Sequence, residues 1–130
     1  MDDIYKKKGA LSHILAGNGS FQLDQFVAEL QGFSLGLRLT HWHTKSYELH
    51  KAVEQTQSAI DSLIDGFVEA YIGMAGGARP EFKSAITRID DPDYIISCLK
   101  KLALTDTSLL NIRDEMLQAV YKYKYLKTLE

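Results

Sequence analysis

The sequence predicts an all-α protein, a bundle of four amphipathic helices joined by short links. Three observations carry that expectation. Pro80 and Pro92 are the two prolines in 130 residues, so most of the chain is free of helix breakers. Apolar residues recur at three- and four-residue steps over three long stretches. Between these stretches stand stop signals, the Gly76-Gly77 pair and the breaker Asp90-Asp91-Pro92.

The whole chain, 1–130, is read as a single domain, with residues 1–20 as an N-terminal arm. Within the arm, Ala16-Gly17-Asn18-Gly19-Ser20 reads as a loop, preceded by a short helix over 10–15. The first long helix is expected over 23–44, with Leu23, Phe26, Val27, Leu30, Phe33 and Leu37 on one face. Gly32 and Gly36 sit inside it and mark close packing of another helix. The second is expected over 47–75, capped by Ser46, with Leu49, Val53, Ile60, Leu63, Ile64, Phe67, Tyr71 and Met74 as its stripe. A mixed stretch follows, broken at Asp90-Asp91-Pro92. A short third helix is expected over 94–103. The fourth, over 107–128, starts at an Asp106 or Thr107 cap and carries Leu109, Ile112, Met116, Val120, Tyr123 and Leu126.

Composition narrows the function classes. Hydrophobic residues make up 45% and charged residues 25%, with a net charge of −2, so nothing draws the chain broadly to nucleic acid or an anionic membrane. Lys6-Lys7-Lys8 offers few phosphate contacts, and DNA binding is not expected. No apolar run is long enough to span a bilayer. Cys98 is the sole cysteine, which excludes an internal disulfide and a thiolate metal cluster. A cytoplasmic setting is the expectation.

The chemistry lies in the second helix. His50, Glu54, Asp61, Asp65 and Glu69 fall within an arc of roughly 100° at helical pitch, beside the apolar stripe. Carboxylates in one line repel unless a cation or water screens them. His50/Glu54 and Asp65/Glu69 are two i,i+4 pairs whose centres lie roughly 22 Å apart along the axis. One metal centre cannot draw on both pairs from one helix. Two copies laid antiparallel, crossing near Ala59 and Ile60, bring the first pair of one chain to the second pair of the other, and a two-fold dimer then holds two equivalent sites. His41 continues the inward face of the first helix. Mixed imidazole and carboxylate donors suit iron better than calcium or structural zinc.

The run His41-Trp42, Leu49-His50-x-x-x-Glu54, Asp65-x-x-x-Glu69 and Gly76-Gly77 resembles the Dps miniferritins of the ferritin-like superfamily. The spacings four, eleven and four among His50, Glu54, Asp65 and Glu69 match that family without a gap. The resemblance implies a ferritin-like four-helix bundle with a shortened third helix, and a ferroxidase centre shared by two subunits. Carried over, His41, His50 and Glu54 come from one chain and Asp65 and Glu69 from its mate, holding two irons per site. Trp42 and Asp61 stand beside the ligands. The implied activity is oxidation and sequestration of Fe(II), with peroxide or oxygen as oxidant, in a homodimer at least.

The chain departs from the family in four places. The link from His41 to His50 is three residues shorter. Glu54 replaces an Asp, the glycine pair is displaced by one residue, and the part after Glu69 is much shortened. A twelve-subunit shell, which uses that second half in the family, is therefore not carried over. The stretch from Asn111 to Leu126 resembles small ferritin-like proteins of phages and other viruses, which would make the cytoplasm that of a host.

Other readings compete. A lone His-x-x-x-Glu pair is commonly a surface ion pair, and the alternative function is a non-catalytic ferritin-like structural or interaction protein. A different di-metal oxidoreductase is disfavoured, because paired Glu-x-x-His motifs are lacking. His43 and His13 read as surface residues, Cys98 as a small apolar residue, and Tyr121, Tyr123 and Tyr125 as one core and two boundary residues.

Overall fold

The computed structural model describes residues 22–129. The arm's loop and short helix, His13 and the lysine triplet lie outside the described residues. Four helices are present: α1 (Leu23–His43), α2 (Tyr47–Met74), α3 (Pro92–Lys100) and α4 (Thr107–Lys127). Among the described residues there is no strand, as the all-α expectation requires. No helix among them is long and apolar enough to cross a membrane.

Helix ends follow local chemistry. The Ser46 side chain accepts from Leu49 N at 3.1 Å, and Asp106 accepts from Leu109 N at 3.0 Å, so each cap satisfies an amide that has no partner inside its helix. Gly76 and Gly77 have φ of 67° and 90°, left-handed values that stop α2 at no steric cost. At α3 the expectation is corrected. The helix begins at Pro92, not Tyr94, because Asp91 accepts from Asp93 N and Pro92 occupies the first turn, where its missing N–H costs nothing. Asp-Asp-Pro is a start signal here rather than a break. It also ends three residues early, at Lys100.

The core is the one the periodicity marks. Phe26, Leu30, Phe33 and Leu37 of α1 face Val53, Ile60, Ile64 and Phe67 of α2, with Met116 and Val120 of α4 closing it. Phe26 and Phe67 meet with ring centroids 5.0 Å apart, and Phe33 meets Tyr123 edge-on at 6.3 Å. Tyr123 is the core tyrosine, while Tyr121 and Tyr125 are exposed. Met74, expected on the buried stripe, is exposed at the end of α2.

Gly32 and Gly36 do mark a close approach, but not of a helix. An extended strap over 78–91 runs along α1, and Ile89 N donates to Gly32 O at 3.0 Å. A Cβ built on Gly32 would lie 2.1 Å from Thr87 O, and one on Gly36 would lie 2.1 Å from Ile89 O. The other end of the strap is latched by Asp24, whose carboxylate accepts from Lys83 N, Ser84 N and Ser84 Oγ. These bonds, led by the Ser84 amide, hold the Asp24 carboxyl below its usual range.

Candidate metal centre

Three residues, Thr44 to Ser46, join α1 to α2. So short a link makes the two helices antiparallel neighbours and sets the last turn of α1 against the first turn of α2. His41 and His50 therefore face each other, with ring centroids 4.0 Å apart and planes inclined by 37°. Glu54, one turn on from His50, brings a carboxylate oxygen to 3.9 Å from His50 Nε2. One donor atom from each of His41, His50 and Glu54 can be chosen so that all lie within 4.8 Å of one another.

The hydrogen bonding of the two imidazoles is unequal. His50 Nδ1 lies 3.4 Å from His41 O, one of the α1 carbonyls that has no partner within the helix. Donation there leaves Nε2 with its lone pair toward Glu54. His41 Nδ1 is buried and has no hydrogen-bond partner. An unsatisfied buried ring nitrogen costs about 1–3 kcal/mol and calls for an explanation. Two imidazoles and a carboxylate with one nitrogen unused form a donor set that fits a borderline divalent metal such as Fe(II). Glu54 also lies 3.6 Å from Lys51 Nζ.

Asp65 and Glu69 are exposed on α2, about 22 Å along its axis from the His50/Glu54 pair. They are not brought to the histidines within one chain. They do act on each other: a hydrogen bond between the carboxyls, with their mutual repulsion, raises the Glu69 pKa. Asp61 lies between the two ends. It is half-buried and accepts from Ser34 Oγ at 2.6 Å, a partner that the sequence reading did not include. The neighbouring Gln57 accepts from Arg38 Nε and Nη2 at 3.1 and 3.2 Å with its amide oxygen toward the guanidinium. Trp42, read as packing beside the ligands, is 66% exposed, and the Arg38 guanidinium stands 5.7 Å from its ring centre. Its helical position, about 100° on from His41, turns it off the inward face. His43 is exposed as expected.

Toward the other end of α1, that helix, α2 and the strap enclose an open groove of about 670 Å³, lined by Val27, Ile64, Val68, Phe82 and Ile86 together with Asp61 and Asp65. A second hollow of about 590 Å³ continues it past Ser34 toward Arg38. Cys98 on α3 is half-buried, and burial together with Glu29 pushes its thiol up to about 11, so it stays protonated and is a poor nucleophile or ligand.

No curated protein and no solved structure matches the chain. A family profile matches residues 41–126, well over half of the chain and a span that contains His41, His50, Glu54, Asp65 and Glu69. The chain thus belongs to a family of unknown function, DUF5856.

Proposed function

We propose that the chain is a ferritin-like protein that binds iron and oxidises Fe(II) at a site shared between two copies. The observation that carries the reading is the convergence of one donor atom each from His41, His50 and Glu54 within 4.8 Å, on a His41 ring whose Nδ1 is buried and partnerless. His41, His50 and Glu54 would supply the ligands of one chain. Asp65 and Glu69 of a second copy would complete the set, and a cation between them would offset the mutual repulsion that raises the Glu69 carboxyl. Iron here is substrate and cargo. Each Fe(II) gives up one electron, and one peroxide takes two electrons and two protons to leave as water. The protein fixes the ligands, and the carboxylates offset the charge that rises on oxidation.

The test is Fe(II) titration without oxygen, followed by peroxide, with Co(II) absorption as a readout of binding alone. Saturable Co(II) binding that falls more than about tenfold in His41→Ala and His50→Ala is the expected result. Near-ultraviolet Fe(III) absorbance that rises no faster than with Asp65→Ala/Glu69→Ala rejects the oxidation step. The Lys51–Glu54 ion pair supports a second reading, a non-catalytic scaffold in which the same side chains only close the α1–α2 turn. That reading predicts no Co(II) binding and an unchanged fold in chelator.

A further inference from the structure

We infer that the groove walled by the strap is the seat for Trp42 of a second copy of this chain. The inference rests on the paired-subunit part of the reading above but is drawn from a different set of residues. Val27, Gln31, Ser34, Arg38 and Trp42 recur at steps of four, three, four and four, which places them on one stripe of α1 roughly 80° wide. One end of the stripe carries an exposed indole. The other end opens into the apolar groove, where Phe82 and Ile86 of the strap are 50% and 54% exposed beside Val27, Ile64 and Val68. A large aromatic knob and an apolar hollow on one face of one molecule are self-complementary surfaces.

Their spacing points to a two-fold axis. Trp42 and Val27 are separated along α1 by roughly 22 Å, and their midpoint is level with Ser34. The His50/Glu54 and Asp65/Glu69 pairs are separated along α2 by the same length, with a midpoint beside Ala59 and Ile60, within a turn of Asp61. Ser34 and Asp61 are hydrogen-bonded to each other at 2.6 Å. One axis through that level seats Trp42 in the groove of the second copy and, in the same rotation, sets Asp65 and Glu69 against its histidines. Arg38, a turn from Trp42, comes to the height of the second copy's Asp61 and Asp65, so the charges meet with opposite sign. Two offsets on two helices, one apolar and one polar, share one centre. A partner of another kind would have no reason to reproduce either.

Trp42 is the one tryptophan of the chain, so its emission reads the seat directly. The experiment is sedimentation equilibrium and tryptophan emission on the full chain in chelator, over a dilution series. The expected result is a doubled mass with blue-shifted emission, both lost together on dilution or in Ile86→Asp. Trp42→Ala should weaken the dimer at least tenfold by mass. Tyr125→Ala, which removes an equally exposed aromatic from α4, should leave it unchanged. Circular dichroism checks that each variant folds; Ile86 and Trp42 are both exposed, and a fold defect in one leaves the other as the test. A monomer at all concentrations overturns the inference, as does a dimer whose indole still emits as in water, or one that Tyr125→Ala disrupts as strongly. A metal-free dimer with a buried indole that takes up no Fe(II) or Co(II) upholds the seat and removes the iron reading alone.

Discussion

Replacing Gly36 by alanine isolates the contact between α1 and the strap. The added Cβ would stand 2.1 Å from Ile89 O and 2.9 Å from Ile89 C, backbone atoms that cannot rotate away. The strap must move, which costs about 1–3 kcal/mol as overpacking and about 1 kcal/mol more if the Ile89 N to Gly32 O bond is lost. Alanine returns about 1 kcal/mol through its better helix propensity. The net expectation is a destabilisation of about 2 kcal/mol. Gly66 of α2 supplies the control, since nothing lies within 4 Å of a Cβ built there. Gly66→Ala should stabilise by about 0.5–1 kcal/mol from propensity alone. The assay is urea denaturation of the three proteins followed by helical circular dichroism, with limited proteolysis at Lys83 and Arg88 to report strap release. Gly36→Ala that is as stable as the parent, with Gly66→Ala behaving as expected, refutes the packing account of the strap.

Three further outcomes follow from named groups. Glu69 should titrate above its ordinary value of 4.5 because of the hydrogen bond and repulsion from Asp65, and Asp65→Asn should lower it; carboxyl carbon shifts measure both. A raised carboxyl favours the fold below the unfolded-state pKa and loses that contribution as pH climbs through the folded value, so stability should ease downward as pH rises from 4.5 through that higher value. Equal Glu69 titrations in parent and variant would defeat this. Asp24 has the opposite sign: its contribution is present above 3.8 and is lost as pH falls through a lower folded pKa. The Ser84 amide shift should then move with the Asp24 titration, and a midpoint at or above 3.8 contradicts the latch. Asp106→Ala should cost about 1 kcal/mol by urea denaturation, the usual loss for a side-chain cap; no change would mean that water replaces the carboxylate.

The parts of the fold that were legible in the sequence are those set by local chemistry. The stripes of α1, α2 and α4 announce themselves through their period, and Ser46 and Asp106 announce their helix starts. The strap was not legible because its residues carry no period and its contacts are distant in sequence. Asp24 meets Ser84 some sixty positions on, and Gly36 meets Ile89. Two glycines one turn apart said that something approaches α1, but a helix and an extended chain need the same space. Asp91-Pro92 shows a different limit, since the pair serves equally to break one helix and to begin the next. Within the site, the convergence of His41, His50 and Glu54 followed from one short link and one i,i+4 step. The bond from Ser34 to Asp61 spans twenty-seven residues and left no trace in either local pattern.

The paired imidazoles have a purely structural use, and the geometry allows it to be separated from metal binding. A histidine at the start of α2 can cap the end of α1, and His50 Nδ1 stands at 3.4 Å from His41 O to do so. That role occupies one nitrogen of one ring. It explains neither the Glu54 oxygen near His50 Nε2 nor the burial of His41 Nδ1 without a partner. A fold that needed only the cap would do as well with an apolar side chain at position 41, which would remove the desolvation cost of the idle nitrogen. His41→Leu therefore divides the two roles. If the ring serves packing alone, the variant should gain about 1–3 kcal/mol in chelator, the cost of the orphaned nitrogen, and lose nothing else. If the ring is a ligand, the same variant is at least as stable in chelator but is no longer stabilised by Co(II), while the parent is. Denaturation with and without Co(II) distinguishes them, and a parent that gains no stability from the metal leaves His41 as a packing residue.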